Sequence, residues 1–141
     1  MDQQSIQRLR RILGETNLLV VDDTPIIRGI VESILEPLGM RAIFQACNGE
    51  EAWSILEANR VGLVVADWLM PGIDGMELLK KMRSDERFAP IPFIMITGMP
   101  NKQVVVDAMK NGVTDFLTKP IDGSVLKQKI LKALSKAADA A

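Results

Sequence analysis

Five residues in this 141-residue chain could do phosphate or metal chemistry together: Asp22, Asp23, Asp67, Thr97 and Lys119. Each stands where an apolar run stops. Leu18-Leu-Val-Val21 runs into Asp22-Asp23, and Gly62-Leu-Val-Val-Ala66 runs into Asp67, with Pro71-Gly72 turning the chain soon after. Ile91-Pro-Phe-Ile-Met-Ile ends at Thr97, and Val113-Thr-Asp-Phe-Leu117 leads to Lys119-Pro120. Three carboxylates gathered at one place cannot all ionise comfortably unless a positive charge joins them. A hard divalent cation answers that need. Mg²⁺ suits it, because it takes one or two carboxylates together with waters and phosphate oxygens. A carboxylate can also accept a phosphoryl group as an acyl phosphate. Phosphoryl transfer then asks chiefly for position and charge, with the cation on one side of the group, Lys119 on the other and a Thr97 hydrogen bond to a phosphoryl oxygen. Taken singly, each residue has an ordinary alternative: a turn, a helix cap or a solvated lysine. The weight lies in all of them, each ending its own apolar run.

The elements that must position these residues are legible from apolar period and turn chemistry. Short apolar runs bounded by turn signals read as strands buried on both faces. They fall at residues 18–21, 42–46, 62–67, 91–97 and 113–117. Between them lie helical stripes. Thr24 as N-cap and Pro25 at the first helical position open a helix to about Leu38, closed by Gly39. Others run from Glu50 to about Asn59, through Met76, Leu78, Leu79 and Met82, and from Asn101 to Asn111 before Gly112. The last begins after Asp122 and buries Val125, Ile130, Leu131 and Leu134. Asp74 and Asp122 read as caps. Strand and helix alternate five times, which predicts an α/β, doubly wound, five-stranded parallel sheet, (βα)5, with right-handed crossovers. In such a sheet the carboxyl ends of the strands share one edge, and ligands bind there.

Residues 1–16 form an extra N-terminal helix, with Ile6, Leu9, Ile12 and Leu13 at helical spacing and Gly14 as its end. It is expected to pack on the domain. Three arginines and four apolar residues are too little to read it as a partner-docking or membrane-surface helix. Residues 17–136 make the domain itself, and the tail 137–141 has nothing left to bury. No stretch is left over for a DNA-binding or catalytic output domain.

Composition excludes several classes. There are no histidines, which rules out a Ser-His-Asp triad, a His metal site and a phosphohistidine on this chain. The single Cys47 excludes a disulfide framework and reads as a small core hydrophobe. A net charge of −1 gives no reason to expect a nucleic-acid partner. No apolar run approaches a membrane span and no signal peptide opens the chain, so a cytoplasmic protein is expected.

The motif set resembles the receiver domain of bacterial two-component response regulators. The residues that carry it are Asp22-Asp23, Val-Val-Ala-Asp67-Trp-Leu-Met-Pro-Gly-Ile-Asp-Gly, Ile-Met-Ile-Thr97-Gly and Phe116-Leu-Thr-Lys119-Pro120. Without an output domain, the chain is most similar to the single-domain, chemotaxis (CheY-like) type. The resemblance implies a flavodoxin-like strand order 2-1-3-4-5 and a phosphoprotein in a phosphorelay. Asp67 would be the phosphoacceptor, with Lys119 pairing to the phosphoryl group. Mg²⁺ would be held by Asp22, Asp23, Asp67 and the Leu69 backbone carbonyl. The Lys119-Pro120 bond matches a position that is often cis. Thr97 would move toward the phosphoryl group and Phe116 would swing into the space vacated, a two-state element biased by a local charge. Leu69 and Met99 are apolar where the family often has polar side chains, which implies slow loss of phosphate. The donor would be a histidine kinase or histidine phosphotransfer protein, the product of signalling a downstream protein target, and the state a monomer.

The surface that would carry the signal is the fourth helix after the first strand, the fifth strand and the last helix. Val104-Val105-Val106 sweep too wide an arc to face the sheet together, so with Met109 they are candidates for a partner surface. Trp53 is expected in the core and Trp68 at the mouth of the site. Three competing readings stand beside the target-binding switch. One is a phosphate sink or relay without a target. Another is an Asp-nucleophile, Mg²⁺-dependent phosphohydrolase of the haloacid dehalogenase type, which wants a second acid two residues after its nucleophile. The third is a flavodoxin-like cofactor binder, for which the chain lacks a Gly-rich loop after the first strand.

Overall fold

Five parallel strands, β1 (Asn17–Val21), β2 (Ala42–Ala46), β3 (Leu63–Asp67), β4 (Phe93–Thr97) and β5 (Asp115–Thr118), form one sheet in the order β2-β1-β3-β4-β5. This is the expected flavodoxin-like doubly wound arrangement. The computed structural model describes residues 2–98 and 101–140. Six helices accompany the sheet: α1 (Gln3–Gly14), α2 (Pro25–Leu35), α3 (Gly49–Ala58), α4 (Gly75–Arg83), α5 (Lys102–Lys110) and α6 (Gly123–Ala140). The three central strands β1, β3 and β4 are buried almost throughout, because side chains alternate into two cores. Leu19, Val21, Val64, Ala66, Phe93 and Met95 face α3, α4 and α5. Leu18, Val20, Leu63, Val65, Ile94 and Ile96 face α1, α2 and α6. Among the described residues no helix is long and apolar enough to cross a membrane.

Several boundaries differ from the sequence expectation, each for a local reason. Helix α2 stops at Leu35 rather than Leu38, because Pro37 has no N–H to bond the carbonyl four residues back. The chain tightens into a 3₁₀ turn, Glu36–Leu38, and Gly39 closes it at φ 78°. Thr24 makes no side-chain cap bond; Asp22 Oδ1 accepts the Thr24 N–H instead, at 2.8 Å. Strand β4 begins at Phe93, after Pro92, and β5 begins at Asp115 rather than at Val113.

The largest difference is at the C-terminus. The short tail, expected to bury nothing, continues α6 to Ala140, with none of residues 137–140 buried. Helix α1 supplies the missing packing: Leu9 shares an apolar cleft with Leu131 and Ser135, Arg8 pairs with Asp139, and Leu13 is buried in the core beneath. Trp53, expected in the core, lies half-buried at its edge, edge-on to Phe88 with Lys81 over its ring. Cys47 is likewise only half-buried.

Candidate functional site

Strand register alone brings the predicted residues together. Val21 pairs with Ala66, so Asp22 and Asp67 leave their strands side by side. Asp67 pairs with Ile96, which puts Thr97 one residue further along the same edge. Thr97 pairs with Thr118, so Lys119 emerges next to it, and the Lys119 N–H bonds the Thr97 carbonyl at 2.8 Å. The edge thus collects carboxylates, hydroxyl and amine from four different strands.

The geometry is tight. One carboxylate oxygen from each of Asp22, Asp23 and Asp67 lies within 4.8 Å of the other two. Lys119 Nζ sits 3.3 Å from Asp22 Oδ2 and 3.3 Å from Asp67 Oδ2. Asp22 and Asp67 are buried, Asp23 is exposed, and Thr97 is fully buried. The Lys119-Pro120 peptide is cis.

Electrostatics follow from this crowding. Burial, and then the neighbouring Asp22, push the Asp67 carboxyl above its usual range, while Lys119 pulls it back only in part. Burial works against the Lys119 ammonium, but Asp22 and Asp67 outweigh it and raise its pKa. Three acids against one amine leave the cluster short of positive charge. The donor set, three carboxylates with no histidine and no nearby thiolate, fits a hard, oxygen-preferring dication.

The loop after Asp67 is anchored by close packing that sequence reading did not single out. The Gly75 N–H donates to the Trp68 carbonyl at 2.8 Å, and a Cβ at Gly75 would lie 2.2 Å from the Asp67 carbonyl oxygen. Glycine is needed here so that helix α4 can start against the end of β3. Asp74 caps that helix by accepting the Glu77 N–H, as expected, and Asp122 accepts the N–H groups of Ser124 and Val125. Trp68 is half-buried against the core and Leu69 is exposed. Met99 lies outside the described residues.

The expected partner surface is narrower than the sequence implied. Val104 is 5% exposed and belongs to the interior, because its turn of α5 faces the sheet. Val105 and Val106 are half-buried and Met109 is 70% exposed. Val105, Met109, Val113 and Phe116 line a cleft of about 130 Å³ between α5 and β5. Phe116 is half-buried there.

Comparison with known proteins agrees with this geometry. The family model for the response regulator receiver domain matches residues 18–131. Chemotaxis protein CheY1 of Helicobacter pylori is 44% identical over 114 residues, covering 80% of this chain and 92% of that protein. A chemotaxis protein CheY homolog of Campylobacter jejuni is 40% identical over the same length, covering 80% and 88%. Among solved structures, a CheY-like receiver domain protein from Methanospirillum hungatei superposes with a TM-score of 0.83 at 25% identity, covering 90% of this chain and 99% of that one. Chemotaxis protein CheY4 of Vibrio cholerae gives 0.79 at 25% identity, covering 84% and 98%. These matches set aside the haloacid dehalogenase and cofactor-binding alternatives. The constellation at the strand ends and the relatives that share its fold lead to one conclusion: the chain belongs to the response regulator receiver family, in the CheY-like group of two-component signalling proteins.

Proposed function

We propose that the protein is a phosphorylation switch in which Asp67 accepts a phosphoryl group from a phosphohistidine on a histidine kinase or histidine phosphotransfer protein. A carboxylate oxygen of Asp67 attacks phosphorus as the P–N bond breaks, and the donor imidazole, already protonated on its other ring nitrogen, takes the bonding pair and leaves neutral. The donor must be another protein, since this chain has no histidine. Asp22, Asp23, Asp67 and the Leu69 carbonyl would hold Mg²⁺, which supplies charge neutralisation between carboxylates and phosphoryl oxygens. Lys119, already 3.3 Å from Asp67, exchanges its carboxylate contacts for a phosphoryl oxygen. Thr97 supplies a hydrogen bond to the same group and couples through β4 and β5 to Phe116.

The observation that carries this reading is the buried Asp67 carboxylate at a strand end, hemmed by two acids and one lysine. Charge added there biases the cleft beside Phe116, Val105 and Met109, which a downstream protein target would read. The protein would act as a cytoplasmic monomer without nucleic acid, with residues 17–136 as the switch. Exposed Leu69 cannot orient an attacking water by hydrogen bonding, so the phosphorylated form would be long-lived. Incubation with Mg²⁺ and acetyl phosphate tests the reading by intact mass. A gain of about 80 Da, one phosphoryl group, is expected in wild type and lost in Asp67→Asn. Steady phosphate release without any adduct would contradict it. A half-life of seconds for the isolated adduct would contradict the slow decay.

A further inference from the structure

The acid pair hangs on a short loop, and one of its two members, Asp23, is exposed. We propose that Arg28 is a positioning residue that aims Asp23 at the cation, acting through the backbone of Asp22. The proposal rests on the Mg²⁺-dependent reading above.

Every polar group of Asp22 is held. Its N–H donates to the Ala46 carbonyl at 3.1 Å, Oδ1 accepts from Thr24 N–H at 2.8 Å and Oδ2 faces Lys119 at 3.3 Å. Its carbonyl oxygen accepts from Arg28 Nη1 at 2.6 Å. That carbonyl and the Asp23 N–H belong to one rigid planar peptide unit. Fixing the oxygen therefore sets the plane from which the Asp23 side chain departs.

The guanidinium is itself locked. Arg28 Nε donates to Gln45 Oε1 at 3.1 Å, and Gln45 Nε2 donates to Glu32 Oε2. Arg28 and Glu32 are four residues apart on α2 and so share a face. Gln45 lies two residues from Ile43 on edge strand β2 and shares its face, the one packed against α2. Arg28 is half-buried, and its hydrogen bond goes to the Asp22 main chain rather than to either carboxylate. The guanidinium holds the carbonyl from Nη1 and the amide from Nε in one fixed plane, whereas an ammonium offers three freely rotating donors at a single point.

The test is Mg²⁺ titration of wild type, Arg28→Met, Arg28→Lys and Gln45→Leu, read by Trp68 fluorescence and by calorimetry, with melting temperatures taken without Mg²⁺. Groups that orient metal ligands typically change affinity about 10- to 100-fold when removed. Arg28→Met is expected to weaken Mg²⁺ by that factor, Gln45→Leu by several-fold, and Arg28→Lys to recover only part of the loss. Unchanged Mg²⁺ affinity in Arg28→Met, whatever its melting temperature, would overturn the proposal and leave Arg28 a tie between α2 and β2. Full recovery by Arg28→Lys with no effect of Gln45→Leu would overturn it in favour of charge alone. Wild type that ignores Mg²⁺ would instead overturn the metal reading, and this proposal with it.

Discussion

Neutralising Asp67 should make the metal-free protein more stable, although it destroys the proposed phosphoacceptor. Asp67 is 8% exposed and shares a 4.8 Å neighbourhood with the carboxylates of Asp22 and Asp23. At an effective dielectric of about 20, each such repulsion costs about 3–4 kcal/mol, and Lys119 at 3.3 Å returns about 5 kcal/mol. Two repulsions against one attraction leave Asp67 unfavourable, and burial adds to that. Solvent screening of exposed Asp23 reduces it. A net gain of about 1–2 kcal/mol is therefore expected for Asp67→Asn, or about 3–7 °C in Tm for a domain of this size. The pH dependence has a definite sign. A carboxyl whose pKa is raised in the folded state favours the protonated fold, so its contribution is fully present below the ordinary value of 3.8 and lost as pH rises through the folded value. The advantage of the variant should be absent at pH 3 and complete at pH 7. Thermal melts in chelator at several pH values measure it. Added Mg²⁺ should then close or reverse the gap by stabilising wild type, by about 2.7 kcal/mol at 100 times its Kd. An Asp67→Asn variant that melts at or below wild type in chelator at pH 7 would show that the Asp67 charge is not a net cost to the fold.

Lys119→Met should destabilise the metal-free protein by about 1–3 kcal/mol, since it strips two buried carboxylates of their partner, and Mg²⁺ should restore most of the loss in paired melts. Gly75→Ala should cost about 1–3 kcal/mol in denaturant unfolding and weaken Mg²⁺ binding, because its Cβ meets the Asp67 carbonyl at the base of the site. On the α6 side, burial raises the Asp115 pKa, but the hydrogen bonds from Lys129 and the Phe116 N–H outweigh it and hold the carboxyl below 3.8. Its stabilisation is present above 3.8 and lost as pH falls through the folded value, so Asp115→Asn should cost up to about 1 kcal/mol at pH 7 and progressively less as pH falls below 3.8, by urea titration. Leu13→Ala should cost about 2–3 kcal/mol and loosen α1 from α6, seen as faster amide exchange in residues 3–12.

The sequence was informative wherever a local pattern decides the outcome. Apolar runs ending at Asp22, Asp67 and Thr97 mark strands and, through sheet register, the site itself. It was least informative where distant segments decide. Residues 137–140 have no apolar stripe of their own to justify a helix, and they are helical because α6 continues beside α1 and Asp139 meets Arg8. Val104, one of three identical neighbours, could be assigned to the interior only once the pitch of α5 was known. Pro37 did carry a local signal for the end of α2, overshadowed by Gly39 two residues later. Arg28 was the hardest to see. Its i,i+4 spacing to Glu32 is readable, as is a lone glutamine in an apolar strand, but only the packing of α2 against β2 brings the three together at the Asp22 carbonyl.

Chemical mapping of the phosphorylated residue tests the central claim most directly. Borohydride reduces an acyl phosphate to the alcohol, converting a phosphoaspartate into homoserine. After treatment with acetyl phosphate and Mg²⁺, reduction and digestion, homoserine is expected at position 67, with Asp22 and Asp23 intact. Homoserine at position 22 or 23, or no conversion in protein that carries the phosphoryl mass, would contradict it.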